Sequence, residues 1–221
     1  MPPFAGQGLN SGMRDAANLA WKLAGVVSGK FHDGILETYD PERRPHVEDM
    51  TKLTIKLGRS IMPTNPLRAW LRDWMMITAW RFKSTRDKLN RGDMIPKPSI
   101  NGSSLVKWER GGLVGTMIDQ PTLLRDGQQI KLDELLGSGF AVIGVNCRPK
   151  EKLSDYDRAM LSGLNASFIS VSTSKDEPAD AFDPVGGLKH YSENDEAIIV
   201  VRPDRFIADI ISPDENKTML S

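Results

Sequence analysis

Phe140-Ala141-Val142-Ile143-Gly144-Val145 is an unbroken apolar run rich in β-branched residues and too short for a helix. It reads as a strand buried on both faces. Working outward, Ala166 to Val171, Ala197 to Val201 and Phe206 to Ile211 are runs of the same kind. Asp204-Arg205 supplies a tight hairpin connection between the last two. Ser154 to Leu164 is patterned as a helix between the first two strands. Strand, helix, strand and terminal hairpin make an α/β layout of thioredoxin-like kind, expected over residues 111–221.

Upstream the texture is different. Asp93 to Ser104 is rich in Pro, Ser, Gly and Asn, so residues 93–110 are expected to form a linker and residues 1–92 a separate helical part. Ser11 to Val27 places Met13, Ala16, Ala17, Leu19, Ala20, Leu23, Ala24 and Val27 mostly at three- and four-residue steps. Asn10 or Ser11 is positioned to cap this helix, and Gly29-Lys30 to stop it. A second helical region starts near Ile35, with Asp40-Pro41-Glu42 as N-cap, first-turn proline and acidic first turn. Pro45 is expected to break or re-aim it before it continues toward Ile61. Leu67 to Phe82 forms a third helix with Leu67, Trp70, Leu71, Trp74, Ile77 and Thr78 on one stripe, expected to be a packing face rather than a membrane-binding one.

The composition excludes several classes of function. Lys plus Arg number 29 and Asp plus Glu number 29, a balance that gives no reason to expect nucleic acid or an anionic membrane as partner. No apolar run is long enough for a transmembrane helix, and Met1 to Gly6 lacks the form of a signal peptide. Cys147 is the single cysteine, which rules out an internal disulfide and a cysteine-based zinc site. His32, His46 and His190 show no metal-ligand spacing, so no metal site is assigned, and a reducing cytoplasm fits best. Asp176, Glu177, Asp180 and Asp183 are expected to lie in a solvated loop, and Asp155 and Asp157 at the start of a solvated helix. No serine–histidine–acid or paired-carboxylate spacing marks a catalytic residue.

Gly6-Gln7-Gly8-Leu9-Asn10-Ser11-Gly12 has the look of a dinucleotide fingerprint, but that motif requires a strand just before it. Only Met1 to Ala5 precede Gly6, and two of those are prolines. Two other readings remain. Either the loop opens a helix whose unpaired N–H groups and dipole stabilise negative charge, or it is a tight turn whose glycines permit unusual backbone angles. Spacing alone favours the turn.

The wider wording changes this balance. Pro2 to Leu23, Tyr39-Asp40-Pro41-Glu42-Arg43-Arg44-Pro45-His46, Gly115 to Pro121, Leu132 to Phe140 and Arg202-Pro203-Asp204 together resemble the class A flavoprotein aromatic hydroxylases, most of all the 3-(3-hydroxyphenyl)propionate hydroxylases. The resemblance implies that the backbone around Gly8, Leu9 and Asn10 lies against the N1 and C2 carbonyl edge of FAD, where the charge of reduced flavin concentrates. It places Pro3 with Pro2 beside the flavin ring on the substrate side and includes Gly6 in the cofactor-binding loop. It further implies NAD(P)H as reductant, a small phenolic or aromatic acid as substrate, and a homo-oligomer.

Other family motifs have no counterpart here: the GxGxxG loop for the ADP half of FAD, a middle motif and the Gly-Asp that binds the ribityl chain. The chain is therefore expected to be an α/β protein made of a helical remnant of an FAD-binding domain followed by a thioredoxin-like domain. It is expected to bind FAD weakly or not at all and to be inactive alone. Two rivals stand beside this reading. One is a non-catalytic thioredoxin-fold interaction or dimerisation module. The other is a thiol oxidoreductase, disfavoured because Cys147-Arg148-Pro149-Lys150 has lysine where a resolving cysteine belongs. Cys147 is expected to be mildly acidic at most, beside Arg148 and Lys150.

Overall fold

A computed structural model describes residues 7–84, 86–87, 98–100, 103–106, 112–192 and 194–212. The chain divides into two compact units, one of residues 1–16 and 43–98 and the other of residues 17–42 and 99–221. They are called here the helical unit and the sheet unit.

The main helices are α1 (Gln7–Val27), α2 (Tyr39–Ile61) and α3 (Pro66–Trp80), with a 3-10 turn over Asp33–Thr38. α1 starts at Gln7, ahead of the expected Asn10 or Ser11, and ends before Gly29 as the sequence suggests. Pro45 lies inside α2 and does not interrupt it. It stands in the second turn, where the lost N–H forfeits a single bond to the Pro41 carbonyl, and the remaining turns hold the helix. At α3 the side chain of Asn65 accepts from the N–H groups of Leu67 and Arg68, and Pro66 follows as a first-turn proline. Within the helical unit, Arg72 Nη1 donates to the Ile61 carbonyl at 2.5 Å and so satisfies the end of α2. α3 has no buried residue. Among the described residues the expected packing stripe is therefore not packed, and Trp70, Trp74 and Ile77 are exposed.

The sheet unit holds β1 (Thr122–Arg125), β2 (Gln128–Lys131), α4 (Leu132–Leu136), β3 (Ala141–Val145), α5 (Pro149–Lys152), α6 (Asp155–Gly163), β4 (Ser167–Ser172), β5 (Ala181–Phe182), β6 (Ala197–Val201) and β7 (Ile207–Ile211). They form a seven-stranded sheet in the order β2-β1-β5-β4-β3-β6-β7. β3 and β4 are parallel, while β3–β6 and β6–β7 are antiparallel. The central strands are apolar throughout because both faces are covered. Ala141, Ile143, Val145, Ile199 and Val201 join one core with Leu132 and Leu136 of α4. Val142, Ile198 and Val200 join the opposite core with Leu153, the C-cap of α5, and Leu161 of α6.

The β1–β2 hairpin was not expected from the sequence. Asp126 and Gly127, with φ of 52° and 79°, give its turn the left-handed pair that a two-residue hairpin needs. Within the expected linker, Ile100, Ser103 and Val106 are buried, and Ile100 N–H donates to the Gly115 carbonyl at 2.7 Å; residues 93–97, 101–102 and 107–110 lie outside the described residues. Gly25 of α1 sits under the Phe31 ring, and a Cβ there would overlap that ring. No helix among the described residues is long and apolar enough to cross a membrane.

The acidic residues differ from expectation in part. Asp183 is buried and accepts from the N–H groups of Leu188 and Val185, at 2.9 and 3.3 Å, and Asp180 Oδ2 accepts from Ser170 N–H and hydroxyl at 2.8 and 2.7 Å. Both brace the chain around β4 and β5, but Asp176, Glu177 and Asp180 are exposed as expected, and only the buried Asp183 departs from a solvated loop. Asp157 is also buried, in reciprocal contact with the Ser154 cap of α6.

Candidate functional site

Gly8, Leu9 and Asn10 form the first turn of α1, a helix of 21 residues. Its opening N–H groups have no carbonyl earlier in the helix to bond, and the aligned peptide dipoles place positive potential there. No acidic residue stands in that turn to cancel it. A Cβ on Gly8 would meet nothing within 4 Å among the described residues, so a flat group can approach the backbone. Gly8 itself is helical and does not adopt a positive φ. Of the two open readings of this loop, the structure supports the helix start over the tight turn. These features fit a planar group that carries negative charge at one edge, as reduced flavin does. Pro3 and Gly6 lie outside the described residues.

The sheet unit contains a second constellation that the sequence did not reveal as such. Glu42 is buried and accepts from four side chains. Arg202 grips it with Nη1 to Oε1 at 2.9 Å and Nη2 to Oε2 at 2.7 Å. Lys22 Nζ and Asn18 Nδ2 donate to Oε2 at 2.8 and 2.7 Å, and Ser103 Oγ donates to Oε1 at 2.5 Å. Arg202 also pairs with Asp204, Nε to Oδ1 at 3.0 Å and Nη2 to Oδ2 at 2.7 Å. Trp21 covers the cluster, with the Arg202 guanidinium 5.3 Å from its ring centroid, and stacks edge-to-face on Phe31 and Phe140.

Two cations against two carboxylates leave this cluster electrically balanced. Burial alone would push the Glu42 carboxyl up, but hydrogen bonds and charge from Arg202, with Asn18 and Lys22, hold it at about 2. Burial lowers the Lys22 ammonium, only partly offset by Glu42. For Arg202 burial acts downward too, yet Glu42 and Asp204 outweigh it and raise the guanidinium further. Such a cluster positions backbone; with every group engaged, it offers no free acid or base. The cue in the sequence was Asn18 and Lys22, polar residues one turn apart within an otherwise apolar helical pattern.

Cys147 follows β3, and its Sγ donates to the Ala197 carbonyl at 3.5 Å. Burial, then the nearby Glu196, push the thiol up to about 11. The mild acidity expected from Arg148 and Lys150 is thus absent. Among the described residues no group of three or more His, Cys, Asp or Glu could hold a metal ion.

Comparison with known proteins agrees with these features. Residues 1–54 match the FAD binding domain family and residues 115–221 match the HcaD C-terminal domain family. Over nearly its whole length the chain is similar to parts of flavin-dependent aromatic hydroxylases. Among curated relatives, it is 38% identical over 221 residues to a 3-(3-hydroxy-phenyl)propionate/3-hydroxycinnamic acid hydroxylase of Burkholderia cenocepacia, covering 94% of this chain and 41% of the relative. To the enzyme of the same description from Mycolicibacterium smegmatis it is 36% identical, covering 94% of this chain and 40% of the relative. The chain therefore spans about two-fifths of the length of the curated relatives it matches. In fold it resembles aklavinone-11 hydroxylase, solved with FAD and aklavinone, with a TM-score of 0.67 at 20% identity over 96% of this chain and 38% of that one.

Proposed function

We propose that this chain supplies the C-terminal part of an FAD- and NAD(P)H-dependent monooxygenase that hydroxylates a phenolic or aromatic acid. The observation that carries the reading is the first turn of α1, an open helix start free of acidic residues, within a segment that matches FAD-binding domains. There the N–H groups of Gly8, Leu9 and Asn10 would hold the flavin edge, with Pro3 and Gly6 completing the loop. Bound FAD supplies the oxygen chemistry; the residues of this chain orient the ring and favour its negative charge. The names of the curated relatives support the substrate class.

The domain bounds follow the same reading: residues 1–92 as part of the FAD-binding domain, 93–110 as linker and 111–221 as a thioredoxin-like domain. The order β4-β3-β6-β7, parallel once and then antiparallel twice, supports the last assignment. A free, protonated Cys147 is compatible with a reducing cytoplasm.

The 221 residues alone are expected to bind FAD weakly or not at all and not to hydroxylate, because one helix start is a small share of a dinucleotide's contact surface. Titration of the purified chain with FAD tests that part, and stoichiometric micromolar binding would overturn it. The function itself is tested by exchanging this chain for the matching segment of the Burkholderia cenocepacia relative. A flavin-loaded, hydroxylating chimera that loses rapid flavin reduction on Gly8→Val supports the assignment. A chimera that folds but neither binds FAD nor hydroxylates overturns it.

A further inference from the structure

In the helical unit, Ser11 Oγ, Arg43 Nη2 and His46 Nε2 are buried with no hydrogen-bond partner among the described residues. Their residues are 5%, 3% and 7% exposed. Buried polar atoms without partners cost stability, so a cluster of them calls for a cause. Ser11 and Asp15 lie one turn apart on α1, and Arg43 and His46 one turn apart on α2, so each pair shares a face. Arg43 Nε donates to Asp15 Oδ1 at 2.7 Å, which brings the two faces together.

Arg14 adds a second guanidinium, half-buried and with no carboxylate bound to it among the described residues. Burial, and then the charge of Arg43, hold it below its usual value. The groups around His46 are Arg43, Arg14, Asp15 and Asp49; burial first, then the two arginines, lower the imidazole, against the opposing pull of the two aspartates. Asp49 is largely exposed and engaged with Lys52 at 3.4 Å, so the half-buried Asp15 is the nearer carboxylate set against two guanidinium groups.

The unpaired atoms have a common chemistry. Arg43 Nη2 can only donate, and the Ser11 hydroxyl and a protonated His46 Nε2 can donate as well. Their complement is an acceptor with negative charge and several lone pairs. A metal cation would be repelled, and an apolar ligand would leave every donor unsatisfied. We infer that Ser11, Arg43 and His46, with the half-buried Arg14 beside them, form a receiving site for a small oxyanion, a carboxylate or a phosphate. The site lies beyond the Gly8–Asn10 turn along α1, rests on side chains rather than on the helix terminus, and does not depend on flavin binding.

The test uses the 221-residue chain with inorganic phosphate and with acetate, against chloride at matched ionic strength. His46 is followed by NMR, its resonance assigned with His46→Asn, alongside the thermal midpoint. An oxyanion beside His46 favours its protonated form, so its titration moves to higher pH and the midpoint rises. A response to phosphate alone identifies a phosphate site; a response to acetate as well identifies a carboxylate site, open to an acidic side chain. Arg14→Gln is expected to weaken the effect about tenfold, as the loss of one charge-assisted contact does. Arg43→Gln is expected to abolish it, and Arg14→Gln keeps the test intact if Arg43→Gln does not fold. Identical His46 titration in phosphate, acetate and chloride overturns the inference. So does a shift that survives Arg14→Gln undiminished, since that is general screening.

Discussion

Arg202 holds both oxygens of the Glu42 carboxylate, at 2.9 and 2.7 Å, with the side chains 1% and 0% exposed. The two residues are 160 positions apart, so this contact fastens the terminal hairpin of the sheet unit to the beginning of α2. A bidentate pair of this kind is specific in geometry, and removing one partner strands the other as a buried charge.

Glu42→Gln is therefore expected to cost about 3–5 kcal/mol, because Arg202 and Lys22 lose their shared counter-charge. A urea melt of the sheet unit's signal checks this. A loss below about 1 kcal/mol would show that water replaces the carboxylate and that the cluster is not closed.

The same carboxylate gives a pH dependence. Its folded value is about 2 against an ordinary 4.5, so it binds protons less readily in the folded state. The stability it contributes is fully present above about 4.5 and is lost as pH falls from there through about 2. The whole interval corresponds to about 3 kcal/mol. Glu42→Gln is expected to flatten stability against pH across this window and to leave the slope above pH 5 unchanged. An unaltered acid slope in the variant would place the titrating group elsewhere.

Cys147→Ser is expected to leave the thermal midpoint nearly unchanged and any flavin-dependent activity untouched. With the thiol pushed up to about 11, little thiolate exists at neutral pH. A disulfide reagent at pH 7 is expected to label the native protein slowly and the denatured protein at once. Rapid native labelling, or a thiol-dependent reductase activity in insulin reduction, would revive the oxidoreductase reading.

Gly25→Ala is expected to destabilise by about 1–3 kcal/mol through overpacking, since its Cβ would overlap Phe31. Phe31 also stacks on Trp21 and Phe140, with centroids at 5.8 and 6.4 Å, so it has little freedom to retreat. Combining Gly25→Ala with Phe31→Ala should give less than the sum of the two losses. Strict additivity would mean that the ring is not the obstacle.

What the sequence made legible follows from where the information resides. β3, β6 and α6 were readable because burial on both faces leaves apolar runs, and because Ser154 is a local cap. The β1–β2 hairpin was missed because its strands mix polar and apolar residues, although Asp126-Gly127 is a turn signal in its own right. The start of α1 was placed late because Gly8 and Gly12 are poor helix formers, and propensity yields to context at a helix end. The turn proposed to face the flavin was legible only through the resemblance to a family, since the spacing of Gly6 to Gly12 alone favoured a tight turn. The Glu42 cluster left a single cue in the sequence, the polar pair Asn18 and Lys22. Arg202-Pro203-Asp204 was read only as a hairpin and a resemblance motif, and the meaning of its charges lies in contacts such as Asn18 to Asp204, separated by 186 positions.

The last expectation concerns α3. Trp70 is 64%, Trp74 57% and Ile77 65% exposed, on the stripe that also carries Leu67 and Leu71. Contiguous apolar surface of this kind marks an interaction site on most water-soluble proteins. Self-association through this stripe is the form expected here, and sedimentation at several concentrations should show a dimer or larger species. Because α3 has no buried residue, Trp74→Glu is expected to shift that equilibrium toward monomer without lowering the thermal midpoint of dilute protein. This separates an interface from a core position: a buried tryptophan replaced by glutamate would unfold the chain, whereas one at an interface only separates it. A chain that stays monomeric at every concentration, with or without Trp74→Glu, would show that the stripe does not mediate contact between copies.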